Sequence, residues 1–265
     1  MAGVKPKKEL GQHFLVDQGI AADIVNALEW GGDVVEVGPG MGVLSRFLFA
    51  RRAEGSVGRL RLVEVDGESV DYLGRTFREA EGSVVLGDFL RMGAGEFFGD
   101  EEGCFAVIGN FPYNISSQIF FHILEFKERV PMVVGMLQKE VAERLSSGPG
   151  SRDYGILSVF LQAYYDVEYL FTVHEDVFNP PPKVKSGVIR LRRNGVERLD
   201  CDESLFRRVV KATFGQRRKT IWNGLRSLGL DLEPLRDEPV MRQRPEQLGV
   251  EEFVRLTNLV ASRRG

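Results

Sequence analysis

A chain of 265 residues and 29.7 kDa, 43% hydrophobic and 28% charged, has room for a sizeable core in one large domain or in one medium and one small domain. That composition excludes the disordered, collagen-like and disulfide-rich classes. No apolar run approaches the length of a membrane span, and the basic start at Lys5, Lys7 and Lys8 leads into Gly11-Gln12-His13 instead of a signal's apolar stretch, so the expected location is the cytoplasm, with no membrane. The net charge of -3 conceals residues 183–226, with 13 Lys/Arg against four acids, a footprint suited to a polyanion.

Asp17 caps a predicted helix in which Ile20, Ile24, Val25 and Leu28 recur at helical spacing. Residues 33–37 read as a strand ending in Gly38-Pro39-Gly40-Met41-Gly42, followed by a helix carrying Val43, Leu44, Phe47 and Leu48. Further strands are expected at 60–65, 83–86, 105–109 and 132–137, with helices near 69–78, 116–126 and 139–145 between them. This alternation predicts right-handed crossovers and an α/β, Rossmann-like doubly wound sheet. After a Gly/Ser/Pro loop at 146–151, residues 156–165 look helical, and 167–173 and 188–191 look like strands able to pair as an edge hairpin. Asn179-Pro180-Pro181-Pro182 between them must run extended. A boundary near Arg193-Asn194-Gly195 divides the chain into residues 1–193, a catalytic sheet domain, and residues 194–265, a small helical domain with helices near 204–214, 219–228 and 251–262. Cys104 and Cys201 form no CxxC pair and His13, His122 and His174 are scattered, so neither a disulfide nor a metal site is expected.

The turn Glu36-Val37-Gly38-Pro39-Gly40-Met41-Gly42 lets a ligand approach the backbone at the carboxyl edge of the sheet. A dinucleotide fingerprint would need glycine where Val43 stands, and Glu36 is a negative charge where a pyrophosphate would sit. A cationic ligand suits the loop better, and E-x-G-x-G after a first strand is the pattern of S-adenosylmethionine-dependent methyltransferases. Glu64, Asp88 and Asn110 follow at intervals of 26, 24 and 22 residues from Gly38, each at a predicted strand end. Glu64 suits a ribose, Asp88 the amine of the cofactor's adenine, and Asp66 an exposed turn or a helix cap. Asn110-Phe111-Pro112-Tyr113 suits methylation of a base amine. The Asn110 oxygen and the Phe111 carbonyl are two acceptors for its hydrogens, Pro112 biases Phe111 away from helical geometry, and Tyr113 offers a face for a flipped-out base.

With these residues in place the chain resembles the ribosomal RNA adenine dimethyltransferases, closest to the bacterial small-subunit enzymes. Gly11–Leu15 resembles the family's amino-terminal cofactor motif, Glu36–Gly42 its glycine loop, Val63–Asp66 and Gly87-Asp88 its ribose and adenine motifs, and Asn110–Tyr113 its catalytic motif. Phe178–Val184 and Phe214–Thr220 resemble later signatures. The resemblance implies that Gln12, His13, Leu15, Gly38, Gly40, Gly42, Glu64, Asp88 and Asn110 bind S-adenosylmethionine, and that Phe178 stacks on the target adenine opposite Tyr113. It also implies dimethylation of two adjacent adenines near the 3′ end of 16S rRNA during small-subunit assembly, by a monomer.

Lys183, Lys185, Arg217, Arg218 and Lys219 are the expected RNA contacts, with Arg190 to Arg193 in reserve. Arg217-Arg218-Lys219 is expected to open a helix whose Ile221, Trp222 and Leu225 face inward. The rival readings are a 23S rRNA dimethyltransferase of the antibiotic-resistance type, a non-catalytic assembly or transcription factor on the same fold, and a DNA adenine methyltransferase.

Overall fold

The computed structural model describes residues 4–7, 10–99 and 102–263; Lys8 of the basic start lies outside them. The apolar runs form strands β1 (Phe14–Leu15), β2 (Asp33–Val37), β3 (Leu60–Glu64), β4 (Val84–Leu86), β5 (Phe105–Asn110), β6 (Met132–Gln138), β7 (Tyr165–Val173), β8 (Phe178–Asn179) and β9 (Ser186–Arg193). Between them lie α1 (Gln18–Asn26), α2 (Ser45–Ala53), α3 (Gly67–Thr76), α4 (Ala94–Phe98), α5 (Ser116–Glu125), α6 (Lys139–Ser146) and α7 (Ile156–Gln162), and after them α8 (Glu203–Phe214), α9 (Ile221–Leu225) and α10 (Val250–Ala261). Asp17 and Asp66 cap α1 and α3, each accepting a backbone N–H of the first turn.

The chain divides into two compact units, Met1–Ala142 with Val167–Arg193, and Glu143–Asp166 with Asn194–Gly265. The division at 193/194 coincides with the expected boundary, but residues 143–166 group with the C-terminal helices. Within that second unit the ring of Tyr154 meets Phe214 and Phe160 meets Phe206, contacts between residues distant in sequence. The expected helix over 156–165 ends at Gln162, and Tyr165 already begins β7.

The large sheet has the order β4-β3-β2-β5-β6-β9-β7. β2, β3, β4, β5 and β6 run parallel to their neighbours and β9 is antiparallel to β6. The two strands expected as an edge hairpin are indeed neighbours at the β7 edge, although β8 lies in the connection between them. Strand order reverses between β2 and β5, so the loops after these two strands diverge above a crevice, the place where such sheets bind ligands. The buried faces of β2, β3, β5 and β6 pack Val34, Leu62, Ala106, Ile108 and Val134 against Ile24, Leu44, Leu48 and Leu73.

A second, two-stranded ribbon pairs β1 with β8, setting Phe14 opposite Asn179 and Leu15 opposite Phe178. The Asn179–Pro180 peptide is cis.

In the second unit, α8 buries Leu205, Phe206, Val209, Val210 and Phe214 and exposes Arg207, Arg208 and Lys211. Arg217, Arg218 and Lys219 do not open a helix as expected. They lie in the turn that follows α8, and α9 begins at Ile221, whose N–H bonds to the Gln243 carbonyl. Ile221 and Leu225 are buried, as their spacing implied, whereas Trp222 is only half-buried.

Candidate active site

A cleft opens at the carboxyl ends of β2, β3, β4 and β5, where the strand-end residues singled out in the sequence converge. Gln12, His13, Leu15, Gly38, Gly40, Glu64, Asp88, Asn110, Phe111, Pro112 and Tyr113 all line it. Gly42 and Phe178 do not. Gly42 adopts φ +77°, and a Cβ there would stand 2.6 Å from the Phe77 ring, so this glycine serves the turn and its packing on α3. Phe178 is 4% exposed and pairs across the β1–β8 ribbon with Leu15, a residue of the cleft wall.

The glycine loop is held by an acid. Glu64, at the end of β3 and 3% exposed, accepts from the Gly40 N–H through Oε2 at 3.0 Å and from the Asp66 N–H through Oε1 at 2.9 Å. Burial pushes its carboxyl above the ordinary range, against the pull of those backbone donors. Each oxygen keeps a second lone pair for a hydroxyl donor, the capacity a ribose diol requires. Gly40 has φ +55°, and a Cβ there would lie 2.8 Å from the Phe14 ring.

Glu36 differs from its sequence reading as a fixed negative charge. It is 2% exposed, accepts from the Ser45 hydroxyl at 2.7 Å, and burial pushes its carboxyl up to about 8. Burial therefore favours the protonated form near neutral pH.

Asp66 is a helix cap, as expected, but it is buried and not exposed. Its carboxylate also takes the Lys7 ammonium at 2.6 Å and the Ser69 hydroxyl at 3.0 Å. Lys7 and Gln12 are thus tied to the start of α3: the Lys7 ammonium binds Asp66, and the Gln12 side-chain oxygen accepts from the Lys7 N–H. Asp88 caps a short 3-10 turn through the Leu90 N–H, and its second oxygen lies 3.3 Å from Arg91.

At the far wall, the Asn110 carboxamide donates to the His13 carbonyl at 2.9 Å, which assigns the other end of the amide, Oδ1, as an acceptor. Phe111 is locked below it. Its N–H bonds to the Met136 carbonyl, and its ring occupies the space left by Gly109 and Gly135, paired residues of β5 and β6. A Cβ on either glycine would stand within 2.8 Å of that ring. The Phe111 side chain is therefore an anchor for the loop, and only its carbonyl remains for chemistry. Tyr113 stacks on the His13 imidazole with centroids 5.5 Å apart, and its hydroxyl lies 2.6 Å from the Ser186 hydroxyl. Burial raises the phenol above its usual value, so it stays protonated.

The ribosomal RNA adenine dimethylase family model matches residues 3–256. The chain belongs to the ribosomal RNA adenine dimethylase family. It is 52% identical to the ribosomal RNA small subunit methyltransferase A of Phocaeicola vulgatus, over 98% of this chain and 91% of that one. To the protein of the same description from Bacteroides thetaiotaomicron it is 54% identical, over 97% and 94%. Among solved structures, a dimethyladenosine transferase from Plasmodium falciparum superposes with a TM-score of 0.75 at 21% identity, covering 92% of this chain and 96% of that one. The 23S rRNA methyltransferase ErmE superposes with 0.65 at 26% identity, covering 94% and 99%. This family member is an S-adenosylmethionine-dependent rRNA methyltransferase with a Rossmann-like fold.

Sequence reasoning missed Val65, Ser45 and Ser186. Val65 is 55% exposed where the chain leaves β3 and lines the cleft beside Glu64, an apolar face for a heterocycle. A valine directly after a strand-end acid, where the chain leaves the sheet, was the signal for it. Ser45 and Ser186 carried none, because a lone serine in a helix or strand has no pattern.

Of the expected RNA contacts, Lys183, Lys185, Arg218 and Lys219 are exposed. Arg217 instead donates to the carbonyls of Ser151 and Arg152. In the reserve set, Arg190 and Arg192 are paired with Glu29 and Glu168.

Proposed function

We propose that this enzyme transfers methyl groups from S-adenosylmethionine to the N6 amines of two adjacent adenines near the 3′ end of 16S rRNA, acting as a monomer on the assembling small subunit in the cytoplasm. The observation that carries the reading is the Asn110 carboxamide, turned by its bond to the His13 carbonyl so that Oδ1 is left to accept from an amine. The cleft suits the cofactor: an apolar face at Val65, a diol acceptor at Glu64, and acids rather than phosphate-binding cations beside the glycine loop.

When bound, S-adenosylmethionine supplies an electrophilic methyl group on a sulfonium. The chain's own contribution is to prepare the amine. Two acceptors, Asn110 Oδ1 and the Phe111 carbonyl, take the amine's hydrogens and favour a pyramidal nitrogen with its lone pair free, while the Tyr113 ring holds the base by stacking. No strong general base is required, since the methylated ammonium loses its proton readily to water. The first unit performs this chemistry. The exposed Lys183, Lys185, Arg218 and Lys219, together with Arg207, Arg208 and Lys211 of α8, supply phosphate contacts.

Small-subunit rRNA is favoured over 23S rRNA by relatives that are 50–54% identical over nearly the whole chain and carry that description. The test offers labelled cofactor with unmethylated small subunits or with 23S rRNA and maps the modified bases. Label on adjacent adenines near the 16S 3′ end is the expected result; label on 23S rRNA alone would overturn the reading.

A further inference from the structure

Tyr113 is constrained at two points that the motif around it does not contain. Its hydroxyl lies 2.6 Å from Ser186 Oγ, and its ring lies 28° from parallel with the His13 imidazole. Ser186 is fully buried at the first position of β9, fixed in register opposite Gln138 at the end of β6. The next backbone bond, from the Lys139 N–H to the Lys185 carbonyl, continues that ladder, so the serine hydroxyl stands on rigid sheet. His13 is itself held, its Nδ1 lying 2.9 Å from the Pro180 carbonyl and its own carbonyl taking the Asn110 amide.

A tyrosine that receives a base must present one face at a fixed height above the cleft. Stacking on His13 sets the height of the ring, and the bond at the hydroxyl tip stops it from swinging about its Cα–Cβ bond. We propose that Ser186 is a positioning residue for the methyl transfer, holding Tyr113 by its hydroxyl in the orientation that stacks the target adenine. This rests on the reading of Tyr113 as the base-stacking ring. Ser186 touches neither base nor cofactor in this scheme. It removes a rotation that would otherwise be frozen each time the base enters, which is the usual gain from a preorganised site.

The test compares Ser186→Ala, Tyr113→Phe and the double variant with the parent in single-turnover methylation of unmethylated small subunits. Each single variant removes the same hydrogen bond from one side, so each should lower the rate by about tenfold, as expected for the net worth of one such bond, and the double variant should be no slower than the slower single. Cofactor affinity by calorimetry should be unchanged in all three. An RNA fragment with 2-aminopurine at the target position should be quenched on binding the parent and at least twofold less by Ser186→Ala, a readout that a merely structural serine would not move. A Ser186→Ala rate within twofold of the parent, or rate losses that multiply in the double variant, would overturn the proposal. Tyr113→Ala separates the two levels: full activity there would remove Tyr113 from base stacking and the inference with it, whereas a large loss there beside an unaffected Ser186→Ala would remove the inference alone.

Discussion

Two buried carboxyls beside the glycine loop have different roles, and their variants should separate. Glu64 holds Gly40 and Asp66 by their N–H groups and faces the cleft, so Glu64→Ala should weaken S-adenosylmethionine by roughly 1.5–3 kcal/mol, the range for hydrogen bonds to a charged group, in a calorimetric titration. Glu36 carries a folded-state value of about 8 against an ordinary 4.5. Between those values the folded chain holds a proton that the unfolded chain has released, so stability falls as pH rises from about 4.5 to 8. Glu36→Gln keeps an acceptor for Ser45 and removes the titration. Its unfolding free energy should lose less than the parent's over that window, the two curves diverging by up to about 1.4 kcal/mol per pH unit; parallel curves would show that Glu36 ionises normally. Asn110→Ala removes an amine acceptor and should lower single-turnover methylation on the order of 10²-fold, with a smaller loss of cofactor affinity from release of the His13 carbonyl. The acids and Asn110 were legible because strand ends at even spacing must converge in a parallel sheet. The protonation of Glu36 was not, because it depends on how completely Ser45 and the loop cover it.

At the scale of elements, the catalytic loop depends on two strands of the sheet beneath it. Phe111 fits only because Gly109 and Gly135 stand side by side in β5 and β6. Gly135→Ala would place a methyl 2.4 Å from the ring. Such overpacking costs about 1–3 kcal/mol by denaturant titration, and displacement of Phe111 should lower turnover well beyond that loss of stability at unchanged salt dependence of RNA binding. Full turnover in that variant would show that the loop does not need its anchor. The five parallel strands were readable as apolar runs, and α2, α3 and α5 between them as amphipathic stretches, mostly within two residues of their ends, whereas the five-residue α4 was too short to show a period. The pairing of Gly109 with Gly135 was not, since neighbours in a sheet are set by topology and register. Nor was the β1–β8 ribbon: two-residue strands have no period to detect, and each finds its partner far along the chain.

Over the whole molecule, charge is less available than its count. Within the cationic stretch 183–226, Arg190 and Arg192 neutralise Glu29 and Glu168, and Arg217 ties down the loop at Ser151 and Arg152. Charge density in the sequence identified the stretch and could not say which cations face solvent. Replacing Arg218 and Lys219 by Gln should leave the fold and cofactor affinity intact and reduce the log–log salt slope of RNA binding by about 1.4–1.8, from roughly 0.7–0.9 per phosphate contact. Arg217→Gln should instead lower stability with little change of slope. An unchanged slope in the double variant would move the RNA contacts to Lys183, Lys185 and the exposed face of α8.

The ribbon of β1 and β8 also orders events during synthesis. His13 finds its carbonyl partner at Pro180, 167 residues downstream, and Val16 bonds to Val177. A nascent chain emerging amino terminus first has made β2 to β6, and with them the glycine loop, Glu64, Asp88 and Asn110, well before β8 leaves the ribosome. Until then the segment that closes one wall of the cleft lacks its strand partner and has only contacts such as Lys7 to Asp66 and Asn110 to the His13 carbonyl to hold it. The ribbon that completes that wall can therefore form only once residues 178–180 have been made.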